Sequence, residues 1–216
     1  MGILPWAKVR MVSTSFLLRG LAIGFSIAAP VGPIGVLCIR RTLAEGRMYG
    51  LASGLGAATA DAVYGGIAGF GLTFISTALI RQQVWLRLVG GAFLCFLGLK
   101  TFLARPTGQE ATARGSGLVG AYASTFFLTL TNPMTILSFA AIFAGLGVAD
   151  AGGSYVSAGV LVLGVFIGST LWWLFLSGAV SLFRTKLSAQ KLAWVNRTSG
   201  LIITGFGLFA LLSLRG

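Results

Sequence analysis

The chain has no histidine, only two cysteines, and four acidic residues among 216. Each scarcity closes off a class of chemistry. Without histidine, and with Cys38 and Cys95 both in or at the end of apolar segments, neither a metal cage nor a disulfide framework is expected. The two cysteines read as small buried hydrophobes, and no cofactor is implied. Charged residues make up 9% of the chain, against about a quarter in soluble domains, so this sequence cannot cover a water-facing surface. No glycine-rich loop ending in Lys appears in a polar segment, which argues against ATP coupling.

What is present is apolar. The chain is 56% hydrophobic with a mean hydropathy of +0.92, and lipid is the solvent that suits it. In lipid only helices and closed barrels satisfy their own backbone groups. Barrel strands alternate in polarity over about ten residues, whereas the apolar runs here are continuous and two to three times longer. The expected fold class is therefore an all-α membrane protein.

The net charge of +12 imitates a nucleic-acid signature, but its placement does not. The basic residues sit mostly in short breaks between apolar runs, where they set topology and meet anionic headgroups; no nucleic-acid partner is expected, and the lipid bilayer is. Lys8 and Arg10 precede an apolar run ending in Ser26-Ile27-Ala28, which resembles a signal peptide. The run continues through Pro30 and Pro33 into Cys38, so it reads as a retained first helix.

Polar punctuation predicts six spans, near 15–39, 49–80, 84–104, 117–147, 153–183 and 193–214. Arg40, Arg41 and Arg47 fall in the first break, with Arg81, then Arg105 and Arg114, Asp150, and then Arg184, Lys186 and Lys191 in the others. A helix crosses the core in about 20 residues, so the longer runs must tilt, break or protrude.

The sequence also repeats itself. Trp85 through Leu99 aligns with Trp194 through Leu208, placing Gly91 over Gly200 and Gly98 over Gly207. Span two aligns with span five, Gly56 over Gly164 and Asp61 over Ser169. Span one aligns with span four, Gly32-Pro33-Ile34 over Asn132-Pro133-Met134. With three spans per copy, about 15–104 and 117–214, the second enters the membrane upside down. The expectation is one transmembrane domain over 1–216, built from two inverted three-helix repeats, a common design in secondary transporters.

With both termini outside, Arg40, Arg41, Arg47, Lys100, Arg105, Arg114, Arg184, Lys186, Lys191 and Arg197 face the cytoplasm. Lys8, Arg10, Arg19, Arg81, Arg87 and Arg215 face away. The basic excess favours this orientation, although Lys8 and Arg10 pull against it.

Transport needs a polar site at mid-membrane. In Ala29-Pro30-Val31-Gly32-Pro33-Ile34-Gly35 each proline removes a backbone donor and disfavours helix just before it, so the first span should open at Pro30, Gly32, Pro33 and Gly35. Freed backbone groups are tolerated at that depth only where they line a cavity. The matching break is Thr131-Asn132-Pro133, and paired breaks point to a site. Asp61 is the one acid deep in an apolar span, about 18 Å along a helix from Tyr49. It must be paired, protonated or wetted; a carboxylate that exchanges a proton for an amine satisfies all three. Tyr64, one turn on, shares its face. Glycines and alanines every fourth residue (Gly20, Gly24, Ala28, Gly32, and Gly50, Gly54, Ala58, Ala62, Gly66) permit close helix packing and make a homodimer plausible. Trp172 and Trp173, in the middle of the fifth span, read chiefly as packing, with gating of a cavity as the alternative.

The stretch Ala29 to Gly35 resembles the first-helix signature of the lysine exporter (LysE-type) amino-acid efflux family. The basic hairpin from Arg40 to Gly50, Gly54-Leu55-Gly56, Asp61-Ala62 and Thr131-Asn132-Pro133 continue the resemblance over essentially the whole chain. It implies gradient-driven export of amino acids or related small solutes across the cytoplasmic membrane, along a path lined by the Pro30–Pro33 segment, Asp61 and Asn132-Pro133. The main alternative is a metal-ion efflux carrier of similar architecture. It is weakened by the lack of histidine and by a single deep acid where a divalent ion wants several ligands. An enzyme is not expected, because no nucleophile–base pair lies in the membrane.

Overall fold

The computed structural model describes residues 5–30, 32–70, 81–104, 117–132, 134–139, 155–184 and 188–213. Among these residues all regular structure is helical: α1 (Pro5–Ala28), α2 (Pro33–Ala44), α3 (Arg47–Gly69), α4 (Gln83–Phe102), α5 (Gly117–Leu130), α6 (Tyr155–Arg184) and α7 (Ala189–Leu212). A further helical stretch covers 134–139. Residues 84–102, 155–184 and 190–212 are long and apolar enough to cross a membrane. The pair Thr14–Ala28 and Pro33–Ala44, bent by 79° between them, adds a fourth crossing if counted as one span. Trp85 and Phe96 on α4, Leu163 and Phe175 on α6, and Leu201 and Phe209 on α7 are exposed on the outer surface. An outer surface of this kind belongs in lipid, and the protein is a multi-pass membrane protein.

Helix directions can be read from which residues meet. Gly54, Asp61 and Gly69 of α3 meet Trp173, Ser169 and Leu161 of α6, so these two helices run antiparallel. Gly20 and Gly24 of α1 meet Leu161 and Val165, so α1 runs parallel to α6. Gly56 of α3 meets Tyr122 of α5 and Tyr64 meets Leu130, a parallel pair. Gly91 and Gly98 of α4 meet Gly207 and Gly200 of α7, an antiparallel pair. The short α2 packs among α3, α6 and α7.

The two ends differ in character. At one, Arg40 Nε donates to Asn196 Oδ1 (3.1 Å) and Asn196 Nδ2 donates to the Ala104 carbonyl (3.2 Å). Gly46, whose φ of +111° suits glycine, turns the chain from α2 into α3 beside the Arg184 guanidinium. This arginine-rich end gathers the close of α2, α4 and α6 with the start of α3, α5 and α7. At the other end Arg87 Nη1 donates to the Ser213 carbonyl (3.1 Å), and the Phe70 and Tyr155 rings lie 6.2 Å apart.

Two expectations change. The first helix is already formed at Pro5, well before residue 15, so Lys8 and Arg10 lie within it. The first span does not close at residue 39. Arg40 and Arg41, expected in a break, belong to α2, and Arg41 is buried. The glycine stripes are partly engaged within the chain: Gly20 and Gly24 abut α6, Gly50 abuts Thr42 and Gly54 abuts Trp173, while Gly32 and Gly66 meet nothing within 4 Å. Residues 71–80 and 140–147 of the second and fourth predicted spans, with Glu110 and Asp150, lie outside the described residues.

Close approach drives this packing, because lipid gives apolar helices little reason to associate. A Cβ at Gly24 would stand 2.1 Å from the Val165 carbonyl oxygen, whereas one at Gly66 meets nothing within 4 Å. Gly24→Ala should therefore lower stability by roughly 1–3 kcal/mol through overpacking. Gly66→Ala should gain up to roughly 1 kcal/mol from helix propensity. Thermal unfolding of both variants in detergent micelles checks the contrast; equal melting temperatures would contradict it.

Candidate functional site

The first helix breaks where the sequence indicates. Pro30 cannot donate a hydrogen bond and Pro33 opens α2, leaving Gly32 extended (φ −100°, ψ −164°) as a cap without a side chain. Val36 N–H then donates to the Gly32 carbonyl to begin the new helix. The second break follows α5. Asn132 Oδ1 accepts from Met134 N–H (3.1 Å) and so caps the stretch 134–139. Thr131 Oγ1 folds back onto the Phe127 carbonyl (2.8 Å). The two breaks face one cavity of about 670 Å³.

Pro30, Gly32, Pro33 and Gly35 line this cavity from the first break, Thr131 and Asn132 from the second, and Asp61 from α3. Seven of the nine residues singled out from sequence thus meet in one space. Tyr64 is buried but does not line it; its hydroxyl donates to the Leu130 carbonyl, one of those left open where α5 stops. It holds the second break in position rather than sharing a hydrogen bond with Asp61. Pro133 lies outside the described residues.

Asp61 is 3% exposed. Ser169 Oγ donates to its Oδ2 (2.7 Å), and Trp173 Nε1 donates to Ser169 Oγ (3.2 Å). Among the described residues Oδ1 accepts no hydrogen bond and no basic side chain pairs with the carboxylate. One oxygen is thus fixed by a relay of two neutral donors, while the other is available to a proton or an ammonium group. The remaining walls are chiefly apolar, with Ala57, Leu94, Leu128, Trp173 and Phe206 among them. Low polarity strengthens any charge pairing inside.

Sequence reasoning missed three contributors and gave a fourth too little weight. Ser169 was aligned with Asp61 but not read as its partner, and Trp173, read chiefly as packing, both packs and lines the cavity. Arg87 stands at the level where the cavity approaches Ser213, and no periodicity singled it out. Arg41 closes the opposite direction. Below the first turn of α2 the fully buried Leu37, Cys38 and Thr42 fill the space, and Arg41 Nη1 donates to Ser53 Oγ (2.7 Å), Thr125 Oγ1 (2.9 Å) and the Ala121 carbonyl (2.9 Å). Its Nη2 donates to Ser124 Oγ (2.8 Å). The cavity therefore extends from Asp61 toward Arg87 and Ser213, and α2 blocks it toward the arginine-rich end. Among the described residues no three potential metal ligands come together.

The Ser169–Asp61 bond is testable as a coupling. A hydrogen bond to a charged group contributes about 1.5–3 kcal/mol, and leaving a buried partner unsatisfied is penalised further. In a double-mutant cycle, Ser169→Ala should destabilise the protein in the presence of Asp61 and have little additional effect beside Asp61→Ala, a coupling of roughly 1–3 kcal/mol. Additive losses in melting experiments would show that the bond contributes nothing.

The sequence model of the LysE type translocator family matches residues 25–214. The "Putative amino acid efflux protein YcgF" of Bacillus subtilis is 27% identical over 89% of this chain and 93% of its own length. The "Uncharacterized membrane protein YahN" of Escherichia coli is 32% identical over 80% of this chain and 77% of its own. The "Threonine efflux protein" of Salmonella typhi is 25% identical over 84% of this chain and 90% of its own. No solved structure matches the chain significantly. The matched region takes in both helix breaks, Asp61 and the cavity between them, and the chain belongs to the LysE type translocator family.

Proposed function

We propose that this protein is a gradient-driven secondary transporter that exports amino acids or closely related small metabolites across the cytoplasmic membrane. Its relatives include proteins named for amino acid and threonine efflux. The observation that carries the reading is the carboxylate of Asp61 at the base of a mostly apolar cavity, flanked by two broken helices. Asp61 would hold either a proton or the solute's ammonium group, never both, and that exclusion couples the two fluxes. The breaks at Pro30–Gly35 and Thr131–Asn132 would supply backbone groups to the rest of the solute. The reading is transport rather than catalysis.

The proposed frame is six spans in two inverted three-helix repeats, about 15–104 and 117–214, with both termini outside and the arginine-rich end in the cytoplasm. Several contacts support it because they join positions that the internal alignment makes equivalent. Asp61 bonds to Ser169, its own counterpart. Cys95 Sγ donates to the carbonyl of its counterpart Thr204 (3.9 Å). Arg87 donates to Ser213 at one end, and the counterpart of that pair, Asn196 donating to Ala104, lies at the other. Gly91 against Gly207 corresponds in the same way to Gly200 against Gly98. The proposed setting is the lipid bilayer, where the unoccupied Gly66 of the second stripe leaves a homodimer contact open to this chain. The alternative of a metal-ion carrier finds no ligand cluster among the described residues.

Efflux from proteoliposomes loaded with each of the twenty labelled amino acids tests the reading. At least one should leave saturably, and faster when the outside is more acidic, because protons then enter in exchange. Asp61→Asn should abolish that acceleration. Efflux of no amino acid from folded wild-type protein would overturn the substrate class; efflux with unchanged pH response in Asp61→Asn would remove Asp61 from the coupling.

A further inference from the structure

We propose that Arg41 is the gate latch of the transport path: it bolts the swinging end of α2 shut, and the path opens toward the arginine-rich end when its hydrogen bonds release together. The inference rests on the cavity being the transport path, but its test needs no solute.

The geometry of α2 is that of a lever. Its first turn lines the cavity and its body blocks the way beyond. At one end it joins α1 through a 79° bend, and a Cβ placed on Gly32 meets nothing within 4 Å, so that side of the joint faces the open cavity. By contrast α1 is fixed against α6 at backbone distance through Gly20 and Gly24. Movement of α2 about the Pro30–Pro33 joint therefore leaves α1 in place. Three contacts hold the far end: Arg40 donates to Asn196 on α7, Thr42 abuts Gly50 on α3, and the Arg41 guanidinium reaches Ser53 on α3 and, alone of the three, Ala121, Ser124 and Thr125 on α5.

The chemistry of these partners suits a latch rather than a rivet. Arg41 is 7% exposed, and all four of its acceptors are neutral. The neighbouring acid, Glu45, is bound instead to Arg40 (2.6 Å). A buried charge must be fully hydrogen-bonded to persist, so the closed arrangement is specific. Water replaces hydroxyl and carbonyl acceptors one for one, so the guanidinium loses little when the end opens and wets. A carboxylate partner would resist that exchange through charge attraction in a low-dielectric setting. Neutral acceptors leave the two states close in free energy, as a cycling gate requires.

Cys38 reports the state of this gate. It is fully buried one turn before Arg41, between the latch and the cavity. In a Cys95→Ser background, membrane vesicles of both orientations would be treated with a membrane-impermeant maleimide and Cys38 alkylation timed. The resting protein should react slowly from either side. Arg41→Gln should react at least ten-fold faster, and only in vesicles that expose the arginine-rich end. Ser124→Ala and Thr125→Val, which remove acceptors with little change in volume, should each give a smaller acceleration. Gly98→Ala, which loosens the distant α4–α7 contact, should lower the melting temperature without exposing Cys38. Unchanged alkylation in Arg41→Gln and in both acceptor variants would overturn the proposal. So would acceleration from the cavity end, or equal acceleration in Gly98→Ala. If Arg41→Gln fails to fold, the acceptor variants decide alone. Failure of amino-acid efflux in wild type would overturn the substrate reading and leave this result standing.

Discussion

A carboxylate held away from water must be satisfied, and Asp61 is where this structure meets that demand. The Ser169 hydroxyl and the Trp173 indole behind it answer for one of its oxygens. They can do so only because α3 and α6 cross closely. Gly54 stands so near Trp173 that an added Cβ would lie 2.4 Å from the tryptophan Cβ, and Gly56 brings α5 equally close on the other side. Replacing these glycines with larger residues would draw the donors away and strand the charge. The same carboxylate keeps the cavity useful, because its second oxygen faces a space with few other polar groups to compete for it.

Around this point the molecule is stiff in some places and jointed in others. The glycine contacts of α1 with α6 and of α4 with α7 are made at backbone distance and cannot slide without clash. The two breaks, by contrast, replace continuous helix with short capped segments, and α2 combines buried core packing with side-chain hydrogen bonds at its far end. A scaffold that is rigid along its long helices and adjustable at its broken ones is what alternating exposure of a central site requires. Here the cavity reaches toward Arg87 while the arginine-rich end is blocked.

Much of this was legible in the sequence, for physical reasons that can be named. Pro30, Pro33 and the pairing of Gly32 with Asn132 located both breaks because proline's missing donor acts locally. Asp61 stood out because an acid in an apolar run is expensive wherever the chain goes. The alignment of Asp61 with Ser169 even placed the two partners over each other, yet alignment says only that positions are equivalent; that they touch depends on α3 crossing α6 at that level. The residues that escaped notice are those whose meaning is set by distant partners. Arg41 looked like a topology signal beside Arg40, and nothing nearby in sequence announces Ser53, Ser124 and Thr125 as its acceptors. The glycine stripes were limited in a similar way: a small-residue stripe shows that something comes close, not which helix it is.

The central claim is that Asp61 exchanges a proton for the amine of the solute. The most direct measurement is proton release on binding, followed with a pH indicator in weakly buffered detergent solution as the transported amino acid is added over an acid-to-neutral range. The account predicts that wild-type protein releases protons in step with binding at the acid end of the range, that affinity rises as pH rises, and that Asp61→Asn releases none. Tight binding with no proton release at any pH in the range would contradict it.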